Sequence, residues 1–329
     1  CLQTSCAAAR LLWQPDMPAD AGTAMLIIIP VFREKGQYYF ENNFSVCKAI
    51  IVSCKTGIVH FRKETVKSGQ KIKMYFRKDK EVFMEWITLN NGVRMPQLGY
   101  GVFQIPSEEC ERCVGEALAM GYRLIDTAPS YRNEEGVGAA VRASGIPREE
   151  LFLTTKLWVQ DAGYTKTRKA AEASMKRLGV DYLDLYLIHQ PFGDYYGAWR
   201  ALEEMYREGI LRAIGISNFD EARLVDLCMN HEICPAVNQI ELHPFCQQTS
   251  ALETMKRYQV QPEAWGPFSE GQKDIFNNRI LKKIADRHER SVAQVILRWH
   301  IQRGVVVIPK AAQKAHMEAN WRVWDFTLT

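Results

Sequence analysis

Gly121-Tyr-Arg-Leu-Ile-Asp-Thr-Ala-Pro-Ser-Tyr131 begins as a strand and ends as a polar loop. Tyr122, Leu124 and Ile125 are β-formers, and Asp126 arrives where the apolar run stops. Pro129 cannot donate to a ladder, so the chain turns away there and carries Tyr131 out of the strand. Taken alone, Asp126 reads as a helix cap for the segment from Asn133, and Tyr131 as a packed aromatic. The competing reading is a strand end offering a carboxylate, then a phenol, at the carboxyl edge of a parallel sheet, where α/β proteins place their reacting groups. The rest of the chain decides between them.

Outward from this stretch the same beat recurs. Short apolar strands alternate with amphipathic helices: Leu98–Phe103 with Ser107–Met120, Tyr122–Asp126 with 133–144, and Leu151–Lys156 with 166–178. Tyr182–His189 is followed by 197–208, Leu211–Ile216 by 220–230, and Ala236–Ile240 by 249–258. Val260–Ala264 with 292–303 and Val305–Ile308 with 313–323 complete the series. Continuously apolar strands are buried on both faces, as parallel strands must be. Eight βα units in series predict an α/β fold of the (β/α)8, or TIM barrel, type over a doubly wound sheet. A hairpin with an Asn91-Gly92 turn precedes the first unit and is placed to close the bottom of the ring. Residues 277–288 predict an extra helix inside the seventh connection.

A chain of 329 residues is long for one domain and ordinary for one barrel with an appendage. The net charge of +4 is unevenly spread: residues 1–83 carry 13 Lys+Arg against 7 Asp+Glu, leaving 29 against 31 for the remainder. The main domain is nearly neutral, which gives no reason to expect nucleic acid or a membrane as partner. Met25–Phe32 is an apolar run of eight residues broken by Pro30, far short of a span. The basic segment 55–80 could be read as a nucleic-acid patch. The break in composition at Met84 favours a duller reading, in which 1–83 is an extension without a fold of its own and 84–329 is the barrel. Nine scattered cysteines suggest a reducing cytoplasm more than a disulfide framework. Cys110 and Cys113 fall in the first turn of a helix and read as an ordinary i,i+3 pair.

The strands end on reacting side chains. After Asp126 come Lys156, His189, Ser217 with Asn218, Gln239 with Glu241, Trp265 and Lys310, about one set per βα unit and always at the carboxyl end. Singly, each has a bland explanation in solvation or packing; their recurrence at the edge where barrel active sites lie does not. No serine or cysteine has a base at a matching position, so acyl transfer is disfavoured. A lysine beside the carboxylate and imidazole would repel a metal ion. A phenol flanked by an ammonium suggests proton transfer, because a nearby cation lowers a tyrosine pKa from about 10 by roughly 1–3 units. Asp126 would orient Lys156, and His189 could donate to a carbonyl oxygen. No G-x-G-x-x-G is present, so a Rossmann cofactor site is not expected.

With those residues in view, the chain resembles the aldo-keto reductase family from Met84 to Leu328. The resemblance rests on Gly121–Tyr131, Leu-Ile-His-Gln-Pro around His189, Gly-Ile-Ser-Asn-Phe around Ser217, Asn-Gln-Ile-Glu-Leu-His-Pro around Gln239, and Val-Ile-Pro-Lys ending at Lys310. It implies a catalytic tetrad of Asp126, Tyr131, Lys156 and His189, with Tyr131 the proton donor. It implies NADPH across the barrel mouth: Ser217, Asn218 and Gln239 on the carboxamide, Trp265 against the nicotinamide, Lys310 at the 2′-phosphate, and His316 and Asn320 near the adenosine. Phe103, Trp158 and Gln190 would line the substrate pocket.

Departures from the family pattern shape the expectation. Ala311, His316 and Ala319 stand where Ser or Thr, Arg and Glu are usual, which narrows the preference for NADPH and leaves NADH in play. Phe103 and Gln190 replace tryptophans. The chain ends at Thr329, where relatives continue with a tail over the substrate, and the loops after His189 and Trp265 look short. An open pocket for a small-molecule carbonyl (aldehydes, dicarbonyls or sugar-derived ketones) is expected, in a monomer. The alternatives are a non-catalytic nucleotide-sensing barrel, which would not need four intact catalytic groups, and an inactive fragment.

Overall fold

The structure, a computed structural model, describes residues 84–329 and, before them, only five short strands. Val31–Glu34 pairs antiparallel with Gln37–Glu41, which also pairs with Lys71–Lys73, and Val52–Cys54 pairs with Gly57–Val59. The expectations for residues 1–83, the basic segment 55–80 included, otherwise lie outside the described residues. The chain divides into two units, Cys1–Glu81 and Val82–Thr329. The second holds the barrel.

It opens with a hairpin of β1 (Trp86–Thr88) and β2 (Arg94–Pro96). Its turn is one residue longer than an Asn-Gly pair would make. Leu89 N donates to Val93 O and Gly92 N to Leu89 O, and Gly92 takes a left-handed φ of 85°. A three-residue loop closed by a left-handed glycine is the next commonest hairpin connection. Asn90 Nδ2 and Asn91 Nδ2 donate to the Pro235 and Arg212 carbonyls at the feet of later strands. Leu89 and Met95 are thereby buried under the barrel interior.

Eight parallel strands follow in chain order: β3 (Tyr100–Gly101), β4 (Leu124–Asp126), β5 (Phe152–Leu157), β6 (Leu185–Ile188), β7 (Ile214–Ser217), β8 (Val237–Glu241), β9 (Gln261–Trp265) and β10 (Val306–Val307). The Leu98–Val307 bridge joins first to last and closes the ring. Gly101 permits that closure, since a Cβ there would stand 2.9 Å from the Ile308 carbonyl oxygen. Alternation along each strand sorts the residues. Leu124, Phe152, Leu185, Leu187, Val237, Val306 and Ile308 fill the interior, while Ile125, Leu153, Tyr186, Ile188, Ile214 and Ile216 face the helices. Two residues beyond the inward Leu124 lies Asp126, and two beyond the inward Leu187 lies His189. The interior therefore turns from apolar to polar toward the carboxyl ends.

The helices stop and start on local signals. Helix α1 (Ser107–Met120) follows Pro106, carries Glu108 and Glu109 in its first turn, and ends on Gly121 at φ 114°. Helices α2 (Glu134–Ala143) and α3 (Tyr164–Leu178) come next. Asp194 caps α4 (Tyr195–Arg207) and Asp220 caps α5 (Glu221–Asn230). After α6 (Thr249–Arg257), the extra helix of the seventh connection is α7 (Arg279–His288), capped by Asn278. A Ser291–Gln294 capping box opens α8 (Val292–Gln302), and α9 (Lys314–Trp321) ends the series. Among the described residues no helix is long and apolar enough to cross a membrane.

The cysteines depart from expectation at one place. Cys228, in the last turn of α5, and Cys234, just after it, form a disulfide. Helix α5 ends at Asn230 and the chain doubles back toward β8, which brings the two Cα atoms to 4.5 Å. Cys110 and Cys113 are buried free thiols on α1, the ordinary helical pair that their spacing suggested.

Candidate active site

The stretch from Asp126 to Asn133 is held at both ends. Asp126 closes β4 and is 2% exposed. Beyond it, Pro129–Tyr131 forms a single 3₁₀ turn that ends on Arg132 in a left-handed conformation. Asn133 braces the loop: it accepts from Thr127 Oγ1 (2.9 Å) and donates to the Val102 and Ile105 carbonyls (2.9 and 3.1 Å). The turn bends Tyr131 back over the barrel mouth, toward the end of β5. Asp126 is therefore a strand-end carboxylate, and the residue at the start of α2 is Asn133.

Lys156 lies fully buried beneath this loop. Its Nζ donates to Asp126 Oδ1 (2.6 Å), to the Thr127 carbonyl (3.1 Å) and to the Tyr131 hydroxyl (3.4 Å). An ammonium has three N–H donors, and here each has an acceptor. Burial alone would push this lysine down, but Asp126 and Tyr131 outweigh it and hold the group charged, above the usual lysine range.

Tyr131 corrects the expectation of a lowered phenol. Burial pushes its pKa up and dominates, while Lys156 pulls it down by less. The cation was rightly placed, but the desolvation that accompanies it was not legible from the sequence. His189, at the end of β6, meets Tyr131 and Trp158 edge-on, with ring centroids 5.8 and 5.2 Å away. Burial, and then Lys156, pushes its pKa down to about 3, so the imidazole is neutral near pH 7.

A cavity of about 710 Å3 opens over these groups. Of the residues singled out from sequence, Phe103, Asp126, Tyr131, Trp158, His189, Gln190, Ser217, Asn218, Gln239, Trp265 and Lys310 line it. Lys156 sits below its floor. His316 and Asn320 lie on α9 and are not among the lining residues; His316 is exposed and Asn320 buried. On one side Ser217 Oγ donates to the Gln239 carbonyl (3.0 Å), and Asn218 Nδ2 donates to the His189 carbonyl (3.0 Å). Trp265 Nε1 donates to Asn218 Oδ1 (2.8 Å), which fixes the indole.

Two features were missed. The connection after Trp265 is more than a short loop. Residues 266–278 fold into two 3₁₀ turns, with left-handed Ser269, Glu270, Lys273 and Asp274, and bring Phe268, Glu270 and Phe276 to the cavity wall. Glycines flanking Pro-Phe-Ser-Glu (266–271) were the available signal. The second is Glu263, fully buried beside Gln239. It lies two residues before the inward Trp265, so the strand alternation that located Trp265 also locates Glu263.

The arrangement can polarise a carbonyl and donate a proton to its oxygen in a cavity whose wall includes Phe103, Trp158, Trp265, Phe268 and Phe276. Residues 95–329 match the model of the Aldo/keto reductase family. The chain belongs to that family. As an oxidoreductase, it is 48% identical over 245 residues to the glyoxal reductase of Bacillus subtilis, covering 74% of this chain and 88% of that protein. It is 47% identical over 246 residues to the 9,11-endoperoxide prostaglandin H2 reductase of Trypanosoma cruzi, with 74% and 87% covered. A Bombyx mori aldo-keto reductase solved in complex with NADP superposes with a TM-score of 0.72 at 34% identity, over 75% of this chain and 89% of that one. Members of the family thus bind a nicotinamide cofactor. The reductase carries its matched segment wholly within the barrel unit.

Proposed function

We propose that this reductase converts small aldehydes and dicarbonyls to alcohols with NADPH, and that Tyr131 is the proton donor. The observation that carries the reading is the single buried ammonium of Lys156 reaching both Asp126 and the Tyr131 phenol. The nicotinamide, when bound, supplies the hydride to the carbonyl carbon. Tyr131 holds its proton until charge develops on the carbonyl oxygen and then releases it there. The phenolate left behind faces Lys156, whose charge stabilises it where water would otherwise have to. Asp126 keeps that ammonium oriented. His189, neutral, can donate to the carbonyl oxygen and fix its approach.

The residues present fit the cofactor. Ser217, Asn218 and Gln239 put polar atoms on one wall, Trp265 gives a large apolar surface next to them, and Lys310 stands exposed at the rim. Lys310 would meet a 2′-phosphate, while Ala311 and Ala319 offer it no polar side chain. NADPH is preferred over NADH in this reading, by less than a full set of contacts would give. A monomer suffices, because every group named comes from one chain. Glyoxal reduction by the Bacillus subtilis relative supports dicarbonyls as the substrate class.

Following NADPH consumption with glyoxal, methylglyoxal, an aromatic aldehyde and an aldose tests the reading. Turnover of the dicarbonyls is expected. Tight NADPH binding without turnover of any carbonyl would replace it with the nucleotide-sensing alternative.

A further inference from the structure

Glu263 is a buried carboxylic acid in the centre of the barrel that the proton-transfer scheme does not use. It stands directly beside Gln239 in the parallel register of β8 and β9, and both side chains face inward. Gln239 Nε2 donates to Glu263 Oε2 (3.0 Å) and also to Asp126 Oδ2 (2.9 Å). Glu263 Oε1 is buried with no hydrogen-bond partner. Burying such a group is costly, and a native protein that retains one calls for an explanation.

The other oxygen, Oε2, gives the carboxyl group a reason to be there, at Gln239. A primary amide has two N–H donors and one carbonyl acceptor. Both donors are spent on carboxyl groups, and Asp126, already bound to Lys156, can only accept. The opposite orientation would set the amide oxygen against Asp126 with no proton between them. One anchor would leave the amide plane free to turn, because the terminal torsion of glutamine is broad. Two anchors fix it. Gln239 lines the cavity, and its Oε1 has no partner among the described residues.

We propose that Glu263 is a positioning residue for the cofactor: with Asp126 it claims both N–H groups of Gln239, leaving that side chain a fixed acceptor for a carboxamide N–H. The inference rests on the nicotinamide reading given under Proposed function. It assigns Glu263 no contact with the reacting atoms. Its consequence is selectivity for the nicotinamide carboxamide itself, over rings whose substituent has no N–H to donate.

The test is a comparison of two dissociation constants, measured by tryptophan fluorescence on the full chain. The ligands are NADPH and its 3-acetylpyridine counterpart, in which a methyl group replaces the carboxamide NH2. A single oriented hydrogen bond predicts that the wild type favours NADPH by about 5-fold. Glu263→Met removes the second anchor and should collapse that ratio toward unity. Glu263→Gln keeps a carbonyl acceptor at the same place and should preserve it, a rescue that mere loss of packing would not give. Glu263→Leu stands in if the Met variant does not fold. An unchanged ratio in Glu263→Met, or no preference in the wild type, overturns the proposal. A wild type that binds neither nucleotide instead removes the cofactor reading on which it rests.

Discussion

Tyr131 shows how two opposing effects on one residue are weighed. The phenol is half-buried and beside a cation, and desolvation wins. A proton donor benefits from that balance: it stays protonated at neutral pH and is helped by Lys156 only once it has given the proton away. Replacing Lys156 by Met should lower kcat by ~10²-fold or more. It should also move the high-pH limb of the rate profile upward, because the main influence lowering the phenol pKa is gone. Identical pH profiles in both proteins would break the coupling. Buried titratable groups also set the pH dependence of stability. His189 and His300 are each pushed down to about 3, first by burial. The unfolded chain therefore binds protons that the folded one refuses between about pH 3 and 6.5, and stability falls as pH drops through that window. Glu263 behaves oppositely. Burial, then Asp126, pushes it up to about 8, so the folded state holds a proton that the unfolded state releases above the ordinary glutamate range. Its contribution is lost as pH rises toward 8. Urea unfolding should give maximal stability near pH 6.5, and Glu263→Gln should flatten the alkaline side by on the order of 1 kcal/mol per pH unit. An unaltered alkaline slope in that variant would contradict the assignment.

The elements differ in how well they could be read. Strands β4 to β7 were legible because both their faces are buried, so apolar runs end abruptly where the interior turns polar. Helix α7 falls inside the segment 277–288 that was expected to be helical. The connection between Trp265 and α7 was not. Its left-handed residues include Ser269, Glu270 and Lys273, types with no strong preference for that conformation, so tertiary contacts set its path. The hairpin was placed correctly, but its loop needed one more residue than Asn91-Gly92 suggested. Helix α9 bears on cofactor choice. His316 is exposed there, and the proposed cofactor reading puts it in the place of an arginine that would meet phosphate with two donors. We expect His316→Arg to tighten NADPH binding several-fold and leave NADH nearly unchanged. Equal effects on both cofactors would show that this residue does not reach the 2′-phosphate.

At the scale of the molecule, eight repeats of one pattern made the barrel readable, since each βα unit supports the same conclusion. Asp126, Lys156 and His189 were readable for the same reason, since they sit at or next to equivalent strand ends, while Tyr131 stands on the turn beyond β4. Two pairings escaped. Glu263 stands in register with Gln239 two residues before the strand-end Trp265, a neighbour relation that only the sheet register reveals, and the Cys228–Cys234 pairing depends on a chain reversal that spacing alone does not reveal. Residues 1–83 differ in charge from the barrel unit, and a chain beginning at Met84 should melt within a few degrees of the full chain by calorimetry. A loss of soluble protein would show that the barrel depends on that segment. The proposed proton transfer depends on the phenol. Steady-state reduction of methylglyoxal by Tyr131→Phe, with the NADPH dissociation constant measured alongside, tests it most directly. With the proton donor gone, kcat should fall ~10²–10⁴-fold with cofactor affinity nearly unchanged. Near-full turnover by that variant would contradict it.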